Sequence, residues 1–336
     1  MATTPFSDFY PSRLKDCVNF LAQAGLKEAE ITFLAGDCSF RRYYRLIHQG
    51  ASFVLMDAPP TKESIVSFCL ISDILSLLQA AVPRIIARDE ALGFLILEDF
   101  GDHTFTVCLS NGHDETTLYK LAFEKLQYIH RQCAEITLPD LPLYTDDLYV
   151  AEALLLPQWF APYITGLPST QTALASYEVA WREVLLQIPP TPPTLVLRDF
   201  HVDNMMYLNE RNDLKRCGLL DFQDAVMGHP AYDIVSLFED ARRDVNPHVV
   251  HTLLESAGYL RDDDFMKAYT ILGAQRACKI AGIFVRLMQR DHKDATMKHL
   301  PRVWGMVKEK LENPLLVPIK NWFDTHCPDW PTWTVS

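Results

Sequence analysis

LVLRDFHVDNMM, residues 195–206, followed by GLLDFQD, residues 218–224, is the stretch that decides the fold. Its apolar residues predict one short buried strand that runs into Asp199 and a second that ends at Asp221. Asn204 follows Asp199 by five residues. Phosphoryl transfer needs such a set, because one carboxylate must accept the proton of an attacking hydroxyl while amide and carboxylate oxygens hold Mg²⁺. A loop of solvated or helix-capping Asp and Asn residues is the alternative interpretation.

The predicted secondary structure changes near residue 100, from mostly β-strands to mostly helices. Before it, three β-rich runs, one main helix and two more β-rich runs are predicted at 30–34, 42–47, 52–56, 61–80, 84–87 and 93–97. After it, helical spacing dominates, as in the clear amphipathic helix at 115–131 and throughout 231–313. The sequence therefore predicts an α+β protein with a small β-rich N-lobe, residues 1–100, and a large, mostly helical C-lobe, residues 101–336.

Composition narrows the class of protein. Lys and Arg number 31 against 43 Asp and Glu, which gives a net charge of −12 and disfavours nucleic acid or an anionic membrane as partner. Apolar residues make up 49% of the chain, as in globular proteins. The eight cysteines form no C-x-x-C pair, and the first residues show no secretory signal. We expect a cytoplasmic protein with reduced thiols, no membrane span, and a monomeric or weakly oligomeric state.

The central stretch resembles a known family. Arg198-Asp199 with Asn204, and Asp221-Phe222 after the next strand, resemble the catalytic loop and metal motif of the protein-kinase-like fold, and the position of His201 is closer to its aminoglycoside phosphotransferase branch. This resemblance implies that Asp199 is the catalytic base and that Asn204 and Asp221 are Mg²⁺ ligands. It also implies that Asp233 supports the catalytic loop, together with Arg198 and His201.

The same resemblance implies that the N-lobe binds ATP. The loop of residues 36–45 lies between the first two strands, where its backbone N–H groups and the hydroxyl of Ser39 would contact phosphate. An ordinary hairpin loop is the alternative. Glu98 and Phe100 resemble the hinge, where backbone groups would pair with adenine.

Two positions depart from the family at large. Met56 stands where a phosphate-pairing lysine is usual, and Leu197 replaces the usual histidine before Arg198. Either an arginine among residues 41, 42 and 45 supplies the missing charge, with Arg42 favoured, or the nucleotide site is degenerate. The carboxylate partner of that arginine is predicted to be Glu63, on the following helix, although a first-turn acid is also favoured there by the helix dipole.

Several further segments resemble one bacterial group, the anomeric N-acetylmuramate/N-acetylglucosamine 1-kinases of cell-wall recycling. These segments are residues 39–43, 55–60, 97–102, 221–225 and 275–286. In that group Met56 is part of the usual pattern. The resemblance implies ATP-dependent phosphorylation of the C1 hydroxyl of a free amino sugar, a small-molecule substrate.

Four residues are predicted to contact that sugar. Arg276 and Lys279 lie three apart on one predicted helix, where they would face the lactyl carboxylate of muramate or form a solvated basic face. Trp159, Phe160 and Tyr163 are candidates for stacking on the sugar ring, with core packing as the expected role of at least two of the three. Asp240 either lines the same wall or pairs with its neighbour Arg242.

Two other functions remain open at this stage. A kinase of an aminoglycoside or amino alcohol would need an acidic pocket, for which Asp146, Asp147 and Glu152 are candidates. A non-catalytic pseudokinase that serves as a binding module is suggested by Met56 and Leu197.

Overall fold

The computed structural model describes residues 13–36 and 40–335. It divides into two compact units, unit 1 with Met1–His113 and Val202–Ala225, and unit 2 with Asp114–His201 and Val226–Ser336. Unit 1 is built on a five-stranded sheet and unit 2 is mostly helical, so the α+β prediction is confirmed. Within the described ranges, no helix combines the length and apolar composition that a membrane span requires.

The sheet of unit 1 is antiparallel throughout. Its strands, in the spatial order β1-β2-β3-β5-β4, are β1 (Glu30–Gly36), β2 (Arg42–His48), β3 (Ala51–Asp57), β4 (Ile85–Asp89) and β5 (Phe94–Glu98). Gln49 and Gly50 link β2 to β3, with φ angles of 51° and 78°. Two successive positive φ angles are what a two-residue hairpin loop requires, so this turn fixes the register of β2 against β3.

Three helices accompany this sheet: α1 (Leu14–Gln23), α2 (Val66–Leu77) and α3 (Phe105–Ser110). Phe20 of α1 stacks on Phe94 of β5 in a buried cluster that also holds Tyr44 and Leu55. The main helix α2 begins at Val66, five residues later than its predicted start. Residues 59–63 form a turn instead, because the N–H groups of Lys62 and Glu63 both donate to the carbonyl of Pro59.

A small hairpin completes unit 1. It consists of β7 (Met205–Tyr207) and β8 (Cys217–Leu219), and it contacts the rest of the unit through bridges from Gly218 to Ala81 and from Met206 to Thr104. The hairpin positions Asn204 directly before β7 and Asp221 shortly after β8.

Unit 2 has one short strand pair and nine helices within its described residues. The strands are β6 (Thr194–Val196) and β9 (Val226–Gly228). The helices are α4 (Glu115–Glu135), α5 (Asp146–Ala153), α6 (Ala161–Thr165), α7 (Gln171–Leu185), α8 (Ala231–Phe238), α9 (Pro247–Ser256), α10 (Asp263–Asp291), α11 (Leu300–Lys310) and α12 (Val317–His326).

The long helix α10 is the centre of unit 2. It packs closely on the chain before the short π-helical turn Leu156–Phe160, where a Cβ atom at Gly282 would lie 2.3 Å from the carbonyl oxygen of Leu155. Only a glycine permits this approach. The buried face of α10 also carries polar residues, among them Gln275, Arg276 and Lys279.

Candidate functional site

The loop after β6 is held by a buried carboxylate. Asp233, on α8 and fully buried, accepts the N–H of Leu197 at 2.6 Å and the N–H of Arg198 at 2.9 Å. These bonds fix a backbone in which Arg198 has a φ of 70°, a left-handed conformation that is uncommon outside glycine. Burial raises the pKa of Asp233 to about 7, although the two backbone hydrogen bonds favour the charged form.

Asp199 follows immediately, and its side chain is 51% exposed. Arg276 of α10 lies close by, with its Nη2 atom 3.9 Å from Oδ1 of Asp199. Burial acts to raise the pKa of Asp199, but the charges of Lys279 and Arg276, with other neighbouring cations, outweigh it and lower the pKa. Asp199 is therefore a carboxylate throughout the neutral range, able to accept a hydrogen bond or a proton from a hydroxyl.

A second buried carboxylate, Glu152 of α5, joins the groups that surround this loop. Its Oε1 atom contacts Nη2 of Arg198 and lies 3.0 Å from Nζ of Lys279. Its Oε2 atom accepts a hydrogen bond from the hydroxyl of Tyr144, and the oxygen of that hydroxyl accepts in turn from the hydroxyl of Tyr232 at 3.0 Å. Lys279 is also within 3.3 Å of the Tyr232 hydroxyl. We call these five residues the Glu152 network.

The contacts of this network bear on two predictions, the substrate contact of Lys279 and the acidic pocket that would include Glu152. The ammonium of Lys279, predicted to face a substrate carboxylate, is engaged inside unit 2, and its side chain is only 10% exposed. Glu152, a candidate for an acidic pocket, is neutralised by Arg198 and Lys279. Asp147, another candidate, pairs with Arg182 at 2.7 Å.

Asp240 and His201 are buried in the same unit. Asp240 accepts the N–H of Arg242 at 2.8 Å, and its carboxylate lies 3.7 Å from the guanidinium of that residue, so the predicted pairing of the two is present. The other oxygen of Asp240, Oδ2, is buried and makes no hydrogen bond to the described residues. Burial lowers the pKa of His201 to about 4, so this imidazole is neutral at pH 7.

The three aromatic candidates for sugar stacking differ in burial. Trp159 is half-buried on the π-helical turn, and Tyr163 is half-buried on α6. Phe160 is fully buried and packs on Trp304, with ring centroids 4.9 Å apart, so core packing accounts for it.

Unit 1 contains a largely apolar cavity of about 270 Å³. Its walls come from both faces that a flat ring would need, with Leu34, Val54 and Leu97 of the sheet and Met206 and Leu220 of the small hairpin. Glu98, Phe100, Asn204 and Asp221 also line it. The cavity thus combines apolar side chains with the carboxylate of Asp221 and the amide of Asn204.

The oxygen ligands lie together. Asn204 Nδ2 is 3.4 Å from Asp221 Oδ2, and Gln223 donates to Asp221 Oδ1 at 3.0 Å. One carboxylate and one amide oxygen fit Mg²⁺, which commonly takes one or two protein oxygens and completes its shell with phosphate and water. Among the residues described, no group of three or more His, Cys, Asp or Glu side chains could form an all-protein metal cage.

The structure distinguishes the three arginines of the β1–β2 region. Arg41 lies beside a predicted Mg²⁺ ligand, with its Nη2 atom 3.4 Å from Oδ1 of Asp221. Arg42, the favoured candidate, begins β2 and is paired in register with Asp57 of β3. Arg45 forms ion pairs with Asp99 at 2.7 Å and with Asp102 at 2.8 Å.

The remaining predicted cofactor residues are placed as follows. Glu63 precedes α2, rather than lying on it, and accepts the N–H of Phe40 at 3.2 Å. The ring of Phe100 packs against β8, where a Cβ atom at Gly218 would lie 2.9 Å from it. Ser39 lies outside the described residues.

Sequence reasoning did not single out Arg41 or the role of Glu152. Arg41 stood among three equivalent arginines, and only the fold separates them, because Arg41 precedes β2 whereas Arg42 and Arg45 lie on it. Glu152 is charged and lies on a predicted helix, and nothing local in the sequence shows that two cations from distant segments meet it. Nothing in the sequence around Tyr144 and Tyr232 indicated that their hydroxyls would join the Glu152 network.

The comparisons with known proteins agree with this architecture. Residues 30–269 match the model of a phosphotransferase enzyme family. A protein of Caulobacter vibrioides named N-acetylmuramate/N-acetylglucosamine kinase is 30% identical, over 92% of this chain and 95% of its own.

Two solved structures share the fold. A choline/ethanolamine kinase family protein from Mesorhizobium loti aligns with a TM-score of 0.62 and 13% identity, over 91% of this chain and 99% of its own. The aminoglycoside phosphotransferase APH(4)-Ia, solved in a ternary complex with ADP and hygromycin B, aligns with a TM-score of 0.58 and 13% identity, over 89% and 98%. At this identity the two structures support the fold alone.

Proposed function

Because this chain belongs to the phosphotransferase enzyme family, we propose that it is an ATP-dependent sugar kinase that phosphorylates the C1 hydroxyl of N-acetylmuramate or N-acetylglucosamine. The relative from Caulobacter vibrioides, which covers nearly the full chain and is named for these two sugars, is the observation that carries the choice of substrate. Cell-wall sugar recycling in the cytoplasm is the corresponding role.

In this proposal unit 1 holds the nucleotide. The adenine occupies the 270 Å³ cavity and pairs with backbone groups of Glu98 and Phe100. Asn204 and Asp221 would hold Mg²⁺, which neutralises charge on the phosphate oxygens when it is bound. Arg41 supplies the positive charge that Met56 does not, since it is the arginine that lies against Asp221.

Asp199 of unit 2 is the catalytic base. The C1 oxygen of the sugar attacks the γ-phosphorus of ATP, the bond to the β–γ bridging oxygen breaks, and the hydroxyl proton passes to Asp199. The products are the sugar 1-phosphate and ADP. An anomeric hydroxyl is more acidic than an ordinary alcohol, so a carboxylate with a low pKa is an adequate base whose main task is to position the oxygen.

The groups around Asp199 position it. Asp233 fixes the backbone on its N-terminal side, and the Glu152 network fixes the side chain of Arg198. Asp240, Trp159 and Arg276 are the proposed substrate contacts.

The contacts of Glu152 and Asp147 weigh against a cationic substrate. A site for an amino alcohol or an aminoglycoside requires uncompensated negative charge, and both carboxylates are already paired with internal cations. Asn204 and Asp221 at one cavity, with Arg41 beside Asp221, weigh against a pseudokinase.

The proposal is tested by incubating the protein with Mg-ATP and a panel of free sugars, and by locating the new phosphate by NMR. The panel contains N-acetylmuramate, N-acetylglucosamine, glucosamine, glucose, choline and an aminoglycoside. We expect phosphorus coupling to the anomeric proton of one or both N-acetylated sugars. Phosphate at another position, or turnover of choline or the aminoglycoside alone, contradicts the proposal.

A further inference from the structure

Unit 1 contains a second cavity, which the phosphotransfer reaction does not use. It also measures about 270 Å³, and it is formed by the end of α2, the segment that follows, the end of β5 and the loop between β7 and β8. Its charged lining residues are Arg84, Glu98, Arg211 and Lys215. Three cations therefore face one carboxylate, in a chain whose net charge is −12.

Glu98 compensates only part of this positive charge. Its Oε1 atom lies 2.7 Å from Nη2 of Arg211, and its Oε2 atom lies 3.4 Å from Nε of Arg84. In the described part of the chain, Glu98 is the one carboxylate that pairs with either arginine, and Lys215 forms no ion pair. The cavity thus keeps an excess of two positive charges, carried on side chains that open to solvent.

We propose that this cavity binds a phosphate monoester dianion. The excess of two charges matches the charge that a phosphate monoester carries at neutral pH. Guanidinium groups bind phosphate through paired N–H donors, and Lys215 adds a third point of contact. A volume of about 270 Å³ accommodates a small phosphorylated metabolite, and the local excess of positive charge attracts an anion in spite of the negative net charge of the chain.

The cavity is coupled to the nucleotide cavity by shared residues. Glu98 lines both of them. The guanidinium of Arg211 lies 4.8 Å from the ring centroid of Phe100, which lines the nucleotide cavity. An anion that draws Arg211 from Glu98 therefore changes the contacts of the segment proposed to hold adenine. Occupancy of one cavity alters affinity at the other, and by thermodynamic linkage the effect is reciprocal.

The binding experiment uses the full chain saturated with Mg-ADP, so that phosphate groups cannot enter the nucleotide site. Glycerol 3-phosphate is titrated by calorimetry at constant ionic strength. The double variant Arg84→Gln/Lys215→Gln removes two exposed cations from the cavity. The double variant Lys15→Gln/Lys27→Gln removes two exposed cations elsewhere in unit 1 and serves as the matched control.

We expect the wild-type protein and the control to bind glycerol 3-phosphate with equal affinity, and the cavity variant to bind at least tenfold more weakly. Absence of binding to the wild-type protein, or equal weakening in both variants, overturns the proposal. Binding of ADP is then measured with and without glycerol 3-phosphate. A change in ADP affinity in the wild-type protein that is lost in the cavity variant supports the coupling, and no change refutes it.

The coupling rests on the proposed function, because it assumes that the larger cavity holds the nucleotide. The two can fail separately. If ADP does not bind, the proposed function fails. If ADP binds and sugars are phosphorylated but glycerol 3-phosphate does not bind, only the second cavity is refuted.

Discussion

At the scale of single residues, the cations around Asp199 keep it ionised, and the proposed reaction depends on that charge state. Two cations of α10 lower the pKa of Asp199. Arg276 lies 3.9 Å from its carboxylate, and Lys279, a member of the Glu152 network, acts on it through its positive charge. Each has a carboxylate partner inside unit 2. Lys279 is therefore better placed to keep Asp199 ionised than to bind a carboxylate of the substrate.

Lys279→Met tests this assignment. Removal of the ammonium should raise the pKa of Asp199, so the acidic limb of the pH profile of kcat/KM should move to higher pH for both N-acetylmuramate and N-acetylglucosamine. Lys267→Met, on the exposed face of the same helix, should leave the profile unchanged. A rise in KM confined to N-acetylmuramate, with no change in the profile, would instead show that Lys279 binds the lactyl carboxylate.

Arg41 and Arg42 allow a comparison of neighbouring positions. Arg41→Gln should raise KM for Mg-ATP by about tenfold, because a charge-assisted contact to the phosphate and metal region contributes ~1.5–3 kcal/mol. Arg42→Gln should have a much smaller effect, since Arg42 lies across from Asp57. Steady-state kinetics with ATP as the varied substrate measures both, and the reverse order of effects would restore the preference for Arg42.

This pair shows why part of the site was not predictable. Asp199, Asn204 and Asp221 were selected by their spacing together with the resemblance to the protein-kinase-like fold, and their roles stay predictions. The choice among three arginines depends on where the fold places each one: Arg41 precedes β2, whereas the Gln49-Gly50 turn sets the register that puts Arg42 across from Asp57 of β3. Likewise, α2 begins at Val66 and not at residue 61 as predicted, because residues 59–63 form a turn in which the carbonyl of Pro59 accepts two backbone hydrogen bonds.

At the scale of elements, α10 determines the architecture of unit 2. On one side its buried Arg276 lies beside Asp199, and on another its small residues permit close packing. Helical spacing predicted the helix, but the neighbours of each face follow only from the tertiary fold. The contact of Gly282 with Leu155 is the tightest of these.

Gly282→Ala should therefore destabilise the protein. A Cβ atom there would lie 2.3 Å from backbone atoms of Leu155, and overpacking of this kind costs about 1–3 kcal/mol. Gly305→Ala on α11 is the control, because its Cβ would meet nothing within 4 Å. That change should stabilise the helix by up to ~1 kcal/mol. Urea unfolding of both variants checks the prediction, and equal free energies of unfolding would contradict the packing at Leu155.

At the scale of the whole molecule, buried ionisable groups set the response to pH. Burial lowers the pKa of His130, His201 and His229 to about 4. Their native forms bind fewer protons than the unfolded chain between about pH 4 and 6.5, so the free energy of unfolding falls on acidification. Asp233 acts in the opposite sense, since its raised pKa favours the native state at low pH and that contribution is lost as pH rises through about 7.

The three histidines outweigh the one aspartate. Each histidine costs about 2 kcal/mol between pH 7 and pH 5, and Asp233 offsets about the same amount once. We expect a net loss of ~4 kcal/mol, measured by urea unfolding at the two pH values. His130→Leu should remove about 2 kcal/mol of this loss. A loss that is unchanged in the variant would show that His130 is not a buried neutral group.

The most direct test of the account concerns Asp199 as the base of phosphoryl transfer. Asp199→Asn keeps the shape of the side chain and removes its basicity, whereas Asp203→Asn makes the same change four residues later. In single-turnover experiments with Mg-ATP and N-acetylglucosamine, Asp199→Asn should slow transfer by about 10²–10⁴-fold while ATP still binds, and Asp203→Asn should stay within a few-fold of the wild-type rate. Transfer by Asp199→Asn at the wild-type rate would contradict the account.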